Sequence, residues 1–227
     1  MAISLKRTGG IENSFIKFCV YGDSGSGKTK LITTMPNVIT ISAEGGLLSI
    51  ADEDLPYIEV SSLADLEEVY QWLTESEEGL AFDSVALDSI SEVAEVVLSN
   101  EKKNTKDGRA AYGEMADKMT SIIRGFRDLP EKHVYFSAKM DKVQDQDGRM
   151  IYGPSMPGKT LTRDLPYYFD EFFALRVEKD GEGNQWRGLL TAPDGMWSAK
   201  DRSGKLEQWE TPDLGEIIKK IQATKEA

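Results

Sequence analysis

The sequence is poor in the residues that form disulfides and most transition-metal sites. Its 227 residues include one cysteine and one histidine. Cys19 lies in the apolar run 15–21 and has no second cysteine to pair with, so we expect a small core residue rather than a metal ligand. His133 begins a predicted strand, and a single histidine excludes multi-histidine metal sites and argues against a histidine-based catalytic triad.

Long uncharged apolar runs are also missing. No stretch approaches the ~20 apolar residues that a membrane span needs, and the N-terminus has no apolar signal-peptide core. We therefore expect a cytosolic protein with no membrane contact. Hydrophobic residues make up 40% and charged residues 29% of the chain, which is typical of a globular protein. The length favours one domain over residues 1–227, with residues 1–12 as a loose lead-in.

Positive charge is absent from a long part of the chain. Between Leu31 and Glu101 there is no lysine or arginine, while sixteen aspartates and glutamates fall there. The formal net charge of −12 argues against a protein that coats nucleic acid by bulk electrostatics, because phosphate binding requires locally positive surface. This acidic stretch, residues 31–101, is either a docking face for a partner protein or a solvated surface that aids solubility.

Predicted strands and helices alternate as far as residue 137. Short apolar, β-rich runs predict strands at residues 15–21, 37–42, 57–60, 81–87 and 133–137. Helical spacing of apolar residues predicts helices at residues 28–35, 63–73, 90–98 and 112–129. Ser62 and Asp65 match a capping box, and the polar segment 100–109 is a predicted flexible loop. The alternation indicates an α/β fold with a mainly parallel sheet covered by helices on both faces.

The pattern changes after Lys139. Turn signals such as Asp147-Gly148 and Asp180-Gly181 separate short apolar runs, which predicts antiparallel strands or hairpins. We expect residues 140–210 to form edge hairpins and loops beside the main sheet. A last helix is predicted from Leu214 to Ile221.

One segment matches a phosphate-binding loop. The pattern G-x-x-x-x-G-K-T directly follows a predicted strand and precedes a predicted helix, which is the context that a working loop requires. The glycines let successive backbone N–H groups face the phosphates, Lys28 supplies a positive charge, and the Thr29 hydroxyl is placed to ligate Mg²⁺. The predicted nucleotide-binding residues of this segment are Gly22, Asp23, Ser24, Gly25, Ser26, Gly27, Lys28, Thr29 and Lys30.

A second segment, residues 153–160, matches the same pattern letter for letter. Pro154 and Pro157 have no backbone N–H to donate to phosphate, and no glycine matches Gly25. Pro166 also falls where the following helix should still run. We predict that this segment is an ordered loop and not a second phosphate site.

Two acidic residues end predicted strands. Asp88 follows the apolar run 81–87, at the carboxyl end of a strand, where α/β sheets bind their ligands, and it is the predicted Mg²⁺ ligand together with Thr29. The alternative role for Asp88 is the N-cap of the next helix. Glu44 ends the second strand before two glycines that leave room for a nucleotide or a water. It is either the catalytic carboxylate that acts on this water or an ordinary loop carboxylate.

Taken in order, these parts resemble the RecA-like NTPases, and among them the small phage-encoded single-domain group often called Sak-four proteins. The resemblance covers most of residues 15–222. Residues 41–45 look like the segment that carries the catalytic glutamate in RecA, and residues 87–90 look like its Mg²⁺ aspartate strand. The resemblance implies an Mg²⁺-dependent ATPase, made by a phage in the cytosol of its bacterial host, that acts in DNA recombination or single-strand annealing.

The resemblance also assigns residues to nucleotide sensing and DNA binding. Ser137 ends a strand where this family carries a polar residue that senses the γ-phosphate, but the glutamine that RecA has next is Ala138 here. Residues 102–110 and 139–160 occupy the positions of the two DNA-binding loops of RecA, or they are simply solvated loops. The implied DNA-binding residues are Lys102, Lys103, Lys106, Arg109, Lys139, Lys142, Arg149 and Lys159.

Residues 199–204 resemble the segment through which RecA and hexameric helicases reach a neighbour's γ-phosphate. This resemblance makes Lys200 and Arg202 catalytic candidates and implies a homo-oligomer with the site between subunits. The alternative is a hairpin turn with exposed charges. The implied partners are single-stranded DNA and a single-strand-binding protein. Two other functions stay open: a nucleotide-gated binding module that docks a partner through the acidic stretch, and a helicase-like motor.

Overall fold

The computed structural model describes residues 15–145 and 147–223, so the predicted lead-in at residues 1–12 lies outside it. In this part of the chain, the strands are β1 (Lys17–Gly22), β2 (Val38–Ser42), β3 (Tyr57–Glu59), β4 (Ser84–Asp88), β5 (His133–Gln144), β6 (Met150–Pro154), β7 (Glu171–Lys179), β8 (Gln185–Leu190), β9 (Lys200–Asp201) and β10 (Trp209–Glu210). The α-helices are α1 (Lys28–Ile32), α2 (Leu63–Glu75), α3 (Glu77–Leu80), α4 (Ile90–Asn104), α5 (Gly108–Arg127), α6 (Lys159–Asp164) and α7 (Leu214–Gln222). Short 3₁₀ segments span Leu47–Glu53 and Leu165–Tyr168.

The strands form one mixed sheet. Six of them run parallel in the order β7-β1-β5-β4-β2-β3. The remaining strands are antiparallel: β8 and β9 pair with β7, β10 pairs with β8, and β6 pairs with β5. The predicted α/β fold, with a mostly parallel sheet flanked by helices and antiparallel additions toward the C-terminus, is confirmed.

The central strand β1 is buried on both faces. Phe18 and Val20 pack in one apolar cluster with residues of α1 and α7. Cys19 and Tyr21 point the other way, into the larger cluster formed with α2, α4 and α5. Successive side chains of a strand alternate between faces, so burial on both sides fixes the position of β1 and of the loop that follows it. Cys19 is a buried free thiol, as expected of a core residue.

The predicted flexible loop at residues 100–109 is wrong, because helix covers most of it. Helix α4 continues to Asn104 and α5 already begins at Gly108. Glu101 is buried on α4 and accepts a hydrogen bond from Lys118 of α5 at 2.6 Å. The Asp107 side chain caps α5 by accepting from the backbone N–H of Arg109 at 2.9 Å. The contact between Glu101 and Lys118 joins the two helices across a polar segment, and the local sequence pattern does not indicate it.

The expectation that residues 140–210 form only edge hairpins is also wrong for β7. This strand lies beside β1 and pairs with it in parallel, from Phe18 with Glu171 to Gly22 with Leu175. The first five residues of β7 are buried, as in an interior strand. The short helix α6 (Lys159–Asp164) begins at residue 159, so the last two residues of the segment 153–160, predicted as an ordered loop, are helical. No helix within the described ranges is long and apolar enough to cross a membrane.

Strand β7 begins with a buried carboxyl whose titration should affect stability. Glu171 Oε1 accepts a hydrogen bond from the Ser203 N–H at 3.2 Å, whereas Oε2 is buried with no hydrogen-bond partner among the described residues. Burial, and then the charge of Asp201, raise the pKa of Glu171 from 4.5 to about 8. A raised acid pKa in the folded state gives stability that is complete below the unfolded pKa and is lost as pH rises toward 8.

We therefore expect the free energy of unfolding to fall between about pH 5 and pH 9, by up to a few kcal/mol, since one pKa unit corresponds to about 1.4 kcal/mol. Glu171→Gln keeps the shape and removes the titration, so its stability should change less over this range. Glu182→Gln, in an exposed turn, is the matched control. Urea unfolding at several pH values measures the effect, and parallel curves for the wild type and Glu171→Gln would contradict the raised pKa.

Candidate nucleotide-binding site

The residues predicted for a nucleotide site come together at one edge of the sheet. Strands β1, β5, β4 and β2 are neighbours and parallel, so their carboxyl ends lie side by side. Gly22 is paired with Lys139, and Ser42 with Asp88. The phosphate loop, the end of β5, Asp88 and the loop that carries Glu44 therefore share this edge, as expected for ligand binding in a parallel sheet.

The phosphate loop has the backbone shape that its glycines permit. Gly25 and Gly27 have φ values of 73° and 107°, in the left-handed region where a side chain is disfavoured. Gly27 precedes the first residue of α1, so the loop leads directly into a helix N-terminus. At Gly22 the constraint is space, because an added Cβ would lie 2.7 Å from the Leu175 carbonyl oxygen of β7.

Lys28 is held inside the loop. Its Nζ donates to the carbonyl oxygens of Gly22 and Asp23, both at 2.9 Å. Burial lowers the pKa of Lys28, and the negative charges of Asp88 and Glu44 act against that shift. The ammonium group thus lies between the loop and the two acidic residues of the edge, where a bound polyphosphate would meet it.

Asp88 is buried between two hydroxyl donors. Thr29 Oγ1 donates to Asp88 Oδ2 at 2.8 Å, and Ser137 Oγ donates to Oδ1. Asp88 is the last residue of β4, and the cap position of α4 is occupied by Ser89. Asp88 is therefore not the N-cap of α4, which was its alternative role. The peptide bond between Asp88 and Ser89 is cis.

The donor set at this point suits Mg²⁺. Thr29 and Asp88 offer a hydroxyl and a carboxylate oxygen, the hard ligands that this ion prefers, and Mg²⁺ keeps several waters or phosphate oxygens as further ligands. No group of three or more His, Cys, Asp or Glu side chains suited to a metal occurs within residues 15–145 and 147–223. A metal at this edge would thus depend on the phosphates of a nucleotide for part of its coordination.

Glu44 reaches the same edge from β2. Its Oε1 accepts a hydrogen bond from Ser89 Oγ, and the side chain remains 33% exposed. The backbone N–H of Ala43 donates to the Asp88 carbonyl oxygen at 2.8 Å, which ties this loop to the end of β4. Gly45, with φ of 66°, turns the chain away directly after Glu44. The carboxylate is thus partly open to solvent and close to Asp88, as a group that acts on a water requires.

A family model described as an AAA domain matches residues 14–203. The chain belongs to this AAA-domain family. The matched span runs from the start of β1 past β9, so it includes the phosphate loop, Asp88, Ser137 and Glu44. Membership in a family of AAA-type P-loop NTPases indicates a nucleotide-binding NTPase, in agreement with the site. A comparison with curated proteins finds no match to the chain.

Lys200 and Arg202 are not part of this edge within one chain. In the AAA domain, β9 pairs with the first residues of β7, Glu171 and Phe172, whereas the phosphate loop begins beside Leu175. Lys200 Nζ donates to the carbonyl oxygens of Pro166 and Phe169 at 2.6 and 2.5 Å, away from the loop. Arg202 forms an ion pair with Asp170 at 2.8 Å and is 56% exposed. Their action on a neighbouring subunit stays a prediction.

Seven of the eight residues predicted for DNA binding fall into three groups. Lys102 and Lys103 are in the last turn of α4, and Lys106 lies between α4 and α5. Lys142 and Arg149 are exposed on the β5–β6 hairpin. Arg109 and Lys159 come from distant parts of the sequence but line one cavity of about 810 Å³ between α5 and α6. Lys139 belongs to none of these groups, because its ammonium forms ion pairs with Glu44, Glu92 and Glu95 at the nucleotide edge.

Three further residues hold parts of the site in place, and the sequence analysis did not assign this role to them. Tyr135 OH donates to the Lys28 carbonyl oxygen at 2.8 Å, Arg187 Nε donates to the Ser26 carbonyl oxygen at 3.1 Å, and Ser89 holds Glu44. Strand alternation would have placed Tyr135 on the face opposite Val134 and Phe136. No local signal indicates Arg187, because only the pairing of β8 with β7 brings it to the loop. Lys30, by contrast, pairs with Glu53 on the exposed side of α1.

The close approach at Gly22 gives a test of the loop geometry. Gly22→Ala should destabilise the protein by about 1 to 3 kcal/mol and weaken nucleotide binding, because the added methyl would overlap the Leu175 carbonyl and the Ser26 hydroxyl. Gly181→Ala, where nothing lies within 4 Å of the added atom, should change stability by less than about 0.5 kcal/mol. Urea unfolding and titration with a fluorescent nucleotide measure both effects. Equal behaviour of the two variants would contradict this packing.

Proposed function

We propose that this AAA domain is an Mg²⁺-dependent ATPase of RecA-like type that binds single-stranded DNA and acts in phage DNA recombination or single-strand annealing. The observation that carries the proposal is the meeting of Lys28, the Thr29–Asp88 pair and Glu44 at the carboxyl edge of four parallel strands. Each of these groups has one task in phosphoryl transfer, and a purely structural loop would not need all of them in one place.

In this reaction, a water attacks the γ-phosphorus of ATP, the bond to the β–γ bridging oxygen breaks, and ADP and phosphate leave. Glu44 orients the water and accepts its proton. Lys28 and the loop N–H groups offset the charge on the β- and γ-phosphates. When bound by Thr29 and Asp88, Mg²⁺ would neutralise further phosphate charge. Ser137, which donates a hydrogen bond to Asp88, is the proposed contact to the terminal phosphate.

The RecA-like assignment is supported by the order of the strands. Strand β5, which carries Ser137, lies between β1, which leads into the phosphate loop, and β4, which ends in Asp88. A γ-phosphate sensor needs this place, because it must respond to both the phosphate and the metal. Ala138 follows it and has no polar side chain, so a signal from nucleotide to DNA would have to use another residue.

The proposal of DNA binding depends on local charge. The chain carries a net charge of −12, yet the α5–α6 cavity and the β5–β6 hairpin carry exposed cations. Arg109 and Lys159 line the cavity from opposite sides, and Lys142 lies over the Tyr152 ring at 5.6 Å on the hairpin. Cations close to aromatic rings are a feature of sites that bind single-stranded nucleic acids.

The oligomer is likewise a proposal. Because Lys200 and Arg202 face away from the nucleotide edge of their own chain, their catalytic use requires a neighbouring subunit. Arg202 is the better placed of the two, since it is largely exposed and held by a single carboxylate, whereas the Lys200 ammonium is bonded to two carbonyl oxygens. A cation delivered in this way stabilises charge in the transition state.

A second candidate is a nucleotide-gated binding module that turns over slowly and docks a partner protein through the acidic stretch. Two exposed apolar side chains in that stretch favour it, Leu48 at 89% and Tyr57 at 54% exposure. Both line one cavity of about 400 Å³, together with Asp54 and Glu59. Exposed apolar groups beside carboxylates are suited to a protein partner rather than to nucleic acid.

The two candidates are separated by ATP hydrolysis measured with and without single-stranded DNA. We expect turnover that rises with DNA and that Lys28→Ala reduces by about 100-fold or more, because the variant lacks the cation at the β- and γ-phosphates. Lys219→Ala, an exposed lysine of α7 paired with Glu216, should behave as wild type. Nucleotide binding without turnover would favour the binding module, and full turnover in Lys28→Ala would refute the assigned site.

The DNA interface has its own test. Arg109→Glu and Lys159→Glu should each weaken single-stranded DNA binding and reduce the slope of log affinity against log salt by about one, since each removes a phosphate contact. Lys219→Glu, far along the chain on α7, should leave both quantities unchanged. Fluorescence anisotropy over a series of salt concentrations measures them. Unaltered slopes in the first two variants would place the DNA elsewhere.

A further inference from the structure

Lys139 lies in the nucleotide site and not on the surface offered to DNA. Its Nζ is 2.6 Å from Glu92 Oε2, 3.8 Å from Glu44 Oε1 and 3.9 Å from Glu95 Oε1. The side chain is 41% exposed, less than that of Arg202. One ammonium group thus faces three carboxylates, and one of these is the carboxylate assigned to the attacking water.

The backbone on both sides of Lys139 is fixed, so its side chain has a defined direction. The Lys139 N–H donates to Ser91 Oγ at 2.9 Å, and its carbonyl oxygen accepts from the Ser155 N–H at 2.6 Å. The residue is paired with Gly22 in the adjoining strand β1. It is thus held between the phosphate loop on one side and the first turn of α4 on the other.

Electrostatics explain why a cation is needed at this point. Glu92 and Glu95 are one turn apart on α4, and Glu44 approaches them from β2. Like charges this close repel one another, and the Ser89 hydroxyl alone would have to hold Glu44 in place. The hydrogen bond to Glu92, followed by the charges of Glu92, Glu95 and Glu44, raises the pKa of Lys139, so the ammonium stays charged.

We propose that Lys139 is a positioning residue for ATP hydrolysis, which holds the Glu44 carboxylate in place from within the same chain. This inference rests on the proposed function of the site. Its chemistry is that of an ion pair that orients a general base, and it assigns Lys139 a role different from the DNA contact implied by its place in the loop 139–160.

Lys139→Met removes the charge and keeps most of the length of the side chain. We expect kcat for ATP without DNA to fall about tenfold or more, with KM changed by less than about twofold, because the ground-state contacts of the phosphates are not touched. Lys139→Arg should recover most of kcat. Adding Glu92→Gln to Lys139→Met should also recover part of it, since one of the repelling carboxylates becomes neutral.

Lys118→Met is a closely matched control. Lys118 of α5 is 43% exposed, and its Nζ lies 2.6 Å from Glu101 Oε1, the same distance as between Lys139 Nζ and Glu92 Oε2. The Lys118–Glu101 pair joins α5 to α4 and does not include Glu44. Its loss should leave kcat unchanged. An equal fall of kcat in the two methionine variants would mean a general structural effect and would overturn the inference.

Two further results would overturn it while the ATPase assignment stands. The first is an unchanged kcat in Lys139→Met when Lys28→Ala is inactive. The second is a loss of DNA affinity and of salt slope in Lys139→Met with full DNA-free turnover, because this is the behaviour of a DNA contact. If wild-type turnover does not depend on Lys28, the proposed function itself fails and the positioning role falls with it.

Discussion

The site depends on one buried carboxylate held by two hydroxyl groups. Asp88 is 5% exposed, and its oxygens accept hydrogen bonds from Thr29 of α1 and Ser137 of β5. A buried carboxyl group without hydrogen-bond partners would be strongly unfavourable, and these two contacts satisfy both of its oxygens at the end of β4. The same contacts join α1, which follows the phosphate loop, to strand β5 and to the end of β4, where we propose that Mg²⁺ binds. A cation and phosphates that entered this arrangement would meet ligands that are already oriented.

The sequence was sufficient for the parts of the site that depend on local pattern. The phosphate loop and Asp88 come at the ends of β1 and β4, and Glu44 lies two residues past the end of β2. In a parallel sheet those ends share an edge whatever the distance between them along the chain. The capping box of Ser62 and Asp65 is present as predicted, since it needs only neighbouring residues. The predicted strand bounds differ from those of β1, β2 and β3 by one or two residues.

Features set by contacts between distant segments could not be predicted in this way. Helix α4 extends through a polar segment because Glu101 meets Lys118 on another helix. Strand β7 lies in the interior because it pairs with β1, about 150 residues earlier in the chain. Arg187 reaches the loop through β8, and Lys139 forms an ion pair with Glu92 of α4. In each case the residue or strand that makes the deciding contact is distant in the sequence, so a local pattern does not contain it.

The two ends of the parallel strands carry different chemistry, and the sheet keeps them apart. The carboxyl ends hold Lys28, Asp88 and Glu44, while β9 brings Lys200 and Arg202 to the start of β7. Pairing along β7 fixes this separation, because β9 bonds to Glu171 and Phe172 at the start of β7, whereas the phosphate loop begins beside Leu175, farther along the same strand. Bending the chain to bring Arg202 to its own loop would break those pairs. In the oligomer that we propose, a cation from this segment would therefore serve the nucleotide of another subunit.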